Sequence, residues 1–260
     1  ATVSGGTSPT GSVTFQLFSD AGCATQVFTS TNALASGTAT SDPFTPTAAG
    51  TYRFIASYSG DANNNPVTSR CGAANESVVI APFTPPAPTR TITGDFLGPL
   101  TVNAGESVVL TNARVVGPVT VNPGGALTVI NSQISRGIMA NGPSFFSVCG
   151  SQVSGPSTTP GQGIVVSGAT VPIRIGDPAN GCAFNRVAGD VSLTGNTAGL
   201  TLGANIVSGN VTVSNNTVGT DVVKANNIFK ALACAGNTPP PTNAGQLNTA
   251  ASKSGQCASL

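Results

Sequence analysis

Four residues within seventeen carry the densest charge chemistry in the chain: Arg174, Asp177, Arg186 and Asp190. Two carboxylates on neighbouring turns of a repeating fold can work as a general acid and base, or hold a cation between them. Arginines beside them would supply positive charge. The plainer reading is two surface ion pairs anchoring a loop. A second, weaker candidate is Asp61 with Asn63 in Ser59-Gly60-Asp61-Ala62-Asn63, where side-chain oxygens could ligate Ca²⁺. Its plainer reading is an Asx-type turn at a strand end. Histidine and tryptophan are absent. This removes the commonest general base and metal ligand, so serine-triad, cysteine–histidine and His-ligated zinc chemistry have no residues to work with. No cofactor is expected, and the reading is of a protein that is not an enzyme.

Composition agrees with that expectation. Only 7% of the 260 residues are charged, against about 25% in ordinary globular proteins. The net charge of +1 argues against nucleic acid as a partner. No stretch approaches the roughly 20 apolar residues that span a bilayer. The chain does not begin with Met and has no basic, apolar leader, which is expected of a mature form whose signal peptide is gone. Six cysteines, none in a CxxC pair, suit disulfides in an extracellular, secreted or cell-surface protein. Order along the chain favours Cys23–Cys71, Cys149–Cys182 and Cys234–Cys257 among the fifteen possible pairings. The sequons at Asn75, Asn210 and Asn215 carry little weight.

The elements that must position these residues are strands. The expected fold class is all-β, in two parts. In residues 1–81, Ser12–Phe18 and Thr51–Tyr58 alternate apolar and polar residues, Ser77–Ile80 adds a final strand, and turn clusters separate them. This predicts a small β-sandwich. Residues 82–88 are too proline-dense for a ladder and read as a stiff linker. From 89 to 237 short apolar runs recur. Gly98-Pro99-Leu100-Thr101-Val102 and Gly117-Pro118-Val119-Thr120-Val121 are near copies. Gly189, Gly199, Gly209 and Gly219 then open segments at a ten-residue period, with runs Val191–Leu193, Leu200–Leu202, Val211–Val213 and Val222–Val223. Asn196, Asn216 and Asn226 follow their glycines by seven, with Asn205 offset by one. This predicts a β-solenoid, right-handed because no hexapeptide repeat is present, with inward Val, Leu and Ile and stacked Asn amides. Residues 155–163 read as a loop thrown out of one coil, pinned by Cys149–Cys182. Pro239-Pro240-Pro241 is expected to stop the repeat, and 238–260 to fold back as a capping tail.

Gly50–Asn63, then Cys71 and Ala74–Val78, resemble the bacterial Ig-like repeats of secreted and surface proteins of actinobacterial type; Gly11–Phe15 with Cys23 matches the early part of that repeat. The resemblance implies an Ig-like β-sandwich over about residues 1–81, lacking its usual first strand. The stretch Gly209–Gly219 resembles right-handed β-helix domains of bacterial secreted proteins. Some of those cleave polysaccharides, with carboxylates, Ca²⁺ and a basic residue on one outer face.

Three functions follow as expectations. One is a non-enzymatic structural or adhesive protein bound to a cell-wall or matrix surface. The second is a filament subunit joined to itself head to tail, a strand from the N- or C-terminal tail of one copy completing the incomplete Ig-like unit of the next. The third is a polysaccharide-active enzyme or a carbohydrate or ice binder. Ice binding would use Thr101, Thr120, Thr128, Thr201 and Thr212, in a pattern interrupted by Ile138-Met139 and Ser192.

Overall fold

A computed structural model describes residues 1–44, 46, 49–80, 83–154 and 162–260. The expected loop at 155–163 lies almost wholly outside the described residues. The chain divides into two compact units, Ala1–Phe83 and Thr84–Leu260.

The N-terminal unit is built on one antiparallel sheet. Its strands are β1 (Ser12–Phe18), β2 (Gln26–Ala33), β3 (Gly50–Tyr58), β4 (Val67–Thr68) and β5 (Ser77–Ile80). β1 lies between β2 and β3, while β4 and β5 share the far edge of β3. The alternation in β1 buries Val13, Phe15 and Leu17 on one face, opposite Tyr58, Ala56 and Phe54 of β3. Where a second sheet was expected, this face is covered by short extended segments. Val3 N–H donates to the Gly37 carbonyl, and Ala39 N–H to that of Ala1. Phe44 stacks against Phe28 with ring centroids 5.3 Å apart. Cys23–Cys71 ties the β1–β2 turn to the segment after β4.

The second unit is a β-solenoid of about eight turns. Each coil supplies parallel strands to three faces. Face A stacks Leu100–Val102, Val119–Val121, Ile138–Asn141, Gln162–Ser167, Asp190–Thr194 and Val211–Ser214, then the last parts of Asn227–Ala235 and Thr249–Gly255. Face B begins with the first parts of Arg90–Leu97 and Ser107–Val116. It continues through Ala126–Ile130, Phe145–Cys149, Ile173–Ile175, Leu200–Gly203 and Asp221–Lys224. Face C takes the ends of those first two strands, then Gln133–Ile134, Gln152–Ser154, Arg186–Ala188, Ile206–Val207 and the starts of the last two.

Strict parallel register stacks like on like. On face B the inward column runs Val108, Leu127, Phe146, Ile173, Leu200. All are essentially buried, each adding roughly 1.5–3 kcal/mol of apolar burial. The ten-residue sequence period is half a coil: successive decads feed faces A and B alternately, and face C occupies the short interval after Asn205. Two asparagine ladders result. Asn196, Asn216 and Asn237 stack at the A-to-B corner; Asn185, Asn205, Asn226 and Asn248 stack at the B-to-C corner. Each amide nitrogen donates to the oxygen of the next asparagine, at 2.8 to 3.1 Å. Earlier coils continue the second ladder with serine: Ser151 N–H donates to Asn185 Oδ1, and Ser132 N–H to Ser151 Oγ.

The B-to-C corner also needs one left-handed residue per coil: Asn112, Asn131, Gly150, Gly176, Ala204 and Ala225. A Cβ at Gly176 would run into the carbonyl oxygen of Gly203 in the next coil. Alanine in this conformation costs about 1–2 kcal/mol. Ala204→Gly and Ala225→Gly are each expected to raise stability by about 1 kcal/mol, offset in part by the entropy of the unfolded chain. Urea unfolding monitored by circular dichroism checks this.

The proline triplet does not stop the stack. Thr238 and Thr242, on either side of it, both bridge to the preceding coil, and Thr249–Gly255 pairs with Asn227–Ala235. The last coil needs hydrogen bonds on one side only, so residues without an N–H are tolerated there. Beyond it, Cys257 and Leu260 are buried against the core, Cys257 bonded to Cys234. Cys149–Cys182 links neighbouring coils in the middle.

Candidate functional site

The four charged candidates separate in three dimensions. Arg174 and Asp177 come together at the end of their face B strand, but the partner that matters is Lys224. Its Nζ lies 3.1 Å from Asp177 Oδ1, while Arg174 Nε is 4.0 Å from Oδ2. Asn180 Nδ2 donates to the same Oδ2 at 2.6 Å. The carboxylate is 97% buried inside this ion cluster, with Oδ1 facing Lys224 as an ion pair. Asp190 stands at the start of its face A strand, where Oδ1 accepts from the backbone N–H of Asn210 at 2.6 Å and from its Nδ2 at 3.2 Å. Arg186, on face C, lies 5.7 Å over the ring of Phe184. Among the described residues Asp177 and Asp190 bond to different groups, and each holds one coil to another. Lys224 was missed in the sequence because its link to Asp177 spans 47 residues and two face B strands.

Asp61 with Asn63 is equally self-contained. Its carboxylate accepts from Thr10 N–H and Oγ, Tyr58 OH, Asn63 N–H and Asn64 Nδ2, at 2.6 to 3.0 Å. Asn63 contributes its backbone N–H to this set. These hydrogen bonds, Thr10 N–H foremost, hold the carboxyl far below the usual range. A ring of donors suits an anion, and a cation would have to displace them. Among the described residues no group of three or more Cys, Asp or Glu is placed to hold a metal ion.

One buried acid lies where an apolar residue belongs. Asp221 pairs in register with Leu200, so it occupies the inward column of face B, 4% exposed, with Oδ2 unpartnered. The sequence signal was present: Asp221 stands two residues after Gly219, as the inward Val191 and Val211 follow Gly189 and Gly209. Of the expected run Val222–Val223, only Val223 points in. Burial pushes the Asp221 carboxyl up to about 6, against bonds from the Asn216 side chain and the Leu200 backbone. The raised value sets the sign. The folded state binds a proton that the unfolded state gives up between about pH 6 and 3.8, so stability rises as pH falls through that window. Asp221→Asn is expected to stabilise the protein by about 2 kcal/mol at pH 7.5, with the advantage gone by about pH 4. Thermal melts at the two pH values check it.

The broadest surface feature is the outside of face A. Its first outward column reads Thr101, Thr120, Met139, Val165, Ser192, Thr212, Ala233, Ser254, one residue per coil in unbroken register. A second column reads Asn141, Ser167, Thr194, Ser214, Ala235. Strand spacing sets about 4.8 Å between successive side chains. Neither column holds a charge. The outward column of face B includes Arg174, and that of face C includes Asp95, Arg114 and Arg186. The threonines expected to form one array divide: Thr101, Thr120 and Thr212 lie on face A, Thr128 and Thr201 on face B. Where Ala231 and Ala233 lower the surface of face A, a shallow depression of about 450 Å³ opens beside Ser192, Thr212 and Asp190.

The N-terminal sheet carries an apolar groove. Two openings, of about 350 and 770 Å³, share Phe54 and Ser41 and are lined in part by Phe15, Leu17, Ala56 and Val78. The tails expected to donate a strand are both docked within their own chain. Ala1–Val3 bonds to Gly37–Ala39, and Thr249–Gly255 is the last solenoid strand. Each would have to surrender those bonds before filling a groove elsewhere.

In comparison with known proteins, the chain matches no family model, no curated protein and no solved structure.

Proposed function

We propose that this protein is a non-enzymatic extracellular structural and adhesive module whose working surface is face A of the solenoid. The observation that carries the reading is the uncharged, in-register array of side chains on that face, eight coils long and, apart from Met139, short. Side chains this short, spaced by the ladder itself, lose little conformational entropy on contact. They suit a flat, uncharged, repeating polymer such as a cell-wall or matrix polysaccharide. Three disulfides support an oxidising, extracellular setting. The N-terminal unit fits an Ig-like domain reduced to one principal sheet, and the bacterial surface-protein reading rests on the resemblance in its sequence.

The test is retention on insoluble cell-wall or matrix polysaccharide. Binding is expected to survive high salt, because no ion pairs carry it. Ser192→Lys with Thr212→Lys is expected to lower retention at least tenfold, while Gln152→Lys on face C leaves it unchanged. Equal retention of all three proteins would refute the assignment of face A.

A second reading is favoured by the groove at Phe54: completion of the N-terminal unit by an extended segment of another copy, giving filaments. Electron micrographs of the purified protein at high concentration decide it; uniformly single particles would rule it out.

A further inference from the structure

We infer that β2 pairs with β2 of a second copy about a two-fold axis, extending the five-stranded sheet into one of ten strands. β2 bonds to β1 along one side, and no other strand pairs with it among the described residues. The direction of its backbone groups follows from register. Leu34 N–H donates to the Gly11 carbonyl, so the hydrogen-bonded pairs that follow are Val13 with Asn32, Phe15 with Ser30 and Leu17 with Phe28. The N–H and C=O groups of Thr29, Thr31 and Ala33 therefore point away from the sheet, while Val27 is the extra residue of a bulge where the register shifts between Leu17 and Phe18; all four residues are exposed.

The chemistry of this edge selects its partner. Long edges are usually blunted by Lys, Pro or a covering segment. β2 runs for eight residues, Gln26–Ala33, with no charge and no proline. Other edges are guarded: the last solenoid strand carries Lys253, the first carries Arg90 and Asp95, and β4 and β5 are short. A two-fold axis at Ser30 sets Thr29 opposite Thr31 of the second copy, and Val27 opposite its Ala33. Thr29 and Thr31 both have their backbone groups directed outward in that register, so the two threonine pairs form about four hydrogen bonds. The side-chain pairs are threonine on threonine, already used within the sheet between Thr14 and Thr31 at 2.9 Å, and Val27, 39% exposed, on alanine. No like charges meet. Because the contact is isologous it closes as a dimer, distinct from the head-to-tail filament. A dimer also doubles the number of solenoid faces presented to a surface.

The test uses the full chain, with light scattering after size exclusion from about 1 to 100 µM and hydrogen exchange in parallel. The expected result is a dimer mass at the upper concentrations, with the amides of Thr29 and Thr31 gaining at least tenfold protection as the dimer forms. Thr29→Lys with Thr31→Lys is expected to return the monomer mass at every concentration, and Thr29→Pro, which removes one outward donor, to weaken the dimer at least tenfold. Val79→Lys, on β5, is expected to leave it intact. A monomer throughout for the unaltered protein would overturn the proposal. So would a dimer in which the amides of Thr29 and Thr31 stay unprotected, or one that both β2 variants leave unchanged while melting normally.

Discussion

Asn205→Ala is expected to destabilise the solenoid by about 4 kcal/mol and to make its unfolding less cooperative. Asn205 is 1% exposed, and every bonding position of its amide is filled. Nδ2 donates to the Ile175 carbonyl at 2.8 Å and to Asn226 Oδ1 at 3.1 Å, while Oδ1 accepts from Asn185 N–H at 3.1 Å and Nδ2 at 2.9 Å. Truncation leaves the backbone N–H of Asn185 and the carbonyl of Ile175 buried without partners. Each orphan costs about 1–3 kcal/mol, to which the cavity adds. The loss of cooperativity comes from geometry. A solenoid is stabilised by contacts between neighbouring coils, and Asn205 joins three of them, so the coils beyond it should melt first. Chemical denaturation followed by far-ultraviolet circular dichroism reads both effects, as a lower midpoint and a shallower slope. Thr201→Ser, on the outside of the same coil, is expected to change neither.

Lys224→Met is expected to lose about 3 kcal/mol, nearly all of it recovered when Asp177→Asn is added. The ammonium is 12% exposed and the carboxylate 3%, so removing one partner strands a charge that water cannot reach. Arg174, at 4.0 Å and 23% exposed, and the Asn180 amide compensate only in part. The double variant leaves only the partly exposed Arg174 charged, and a thermodynamic cycle on the four proteins isolates the coupling. If Lys224 were only a surface partner, the single variant would lose well under 1 kcal/mol and added salt would erase the difference. Either result also bears on the cluster's role: a carboxylate held among Lys224, Arg174 and Asn180 anchors coils.

Much of the solenoid was legible in the residues. Short apolar runs, glycines at a fixed period and asparagines at a fixed offset each have one cheap explanation, namely that identical positions stack. What the period concealed was its own multiplicity. Asn196, Asn205, Asn216 and Asn226 read as one series of about ten, yet they belong to two ladders that never meet, because a coil here takes twenty or so residues and turns two such corners. The same ambiguity hid Asp221. Assigning Val222 and Val223 to one apolar run left no reason to look at the residue before them, although strand alternation places Asp221 and Val223 on one face and Val222 on the other. In the N-terminal unit, alternation in Ser12–Phe18 identified a strand with one buried face. It could not say whether a sheet or a set of tethered loops would cover that face, since both bury the same side chains.

By itself, then, the sequence determined the strands, the stacking and the paucity of charge that leaves two outward columns of face A uncharged. It determined these because burial and register act on every repeat alike, and a repeated cause leaves a repeated mark. Only the tertiary structure decided which charged residues meet. Asp177 finds Lys224 across 47 residues, Asp190 finds Asn210 one coil later, and Asp61 closes on Thr10 from the other end of its unit. Such pairs depend on the length of the coil and the angle of its corners. Single-residue identities do not encode those quantities, because they emerge only when many weak local preferences are packed around one core.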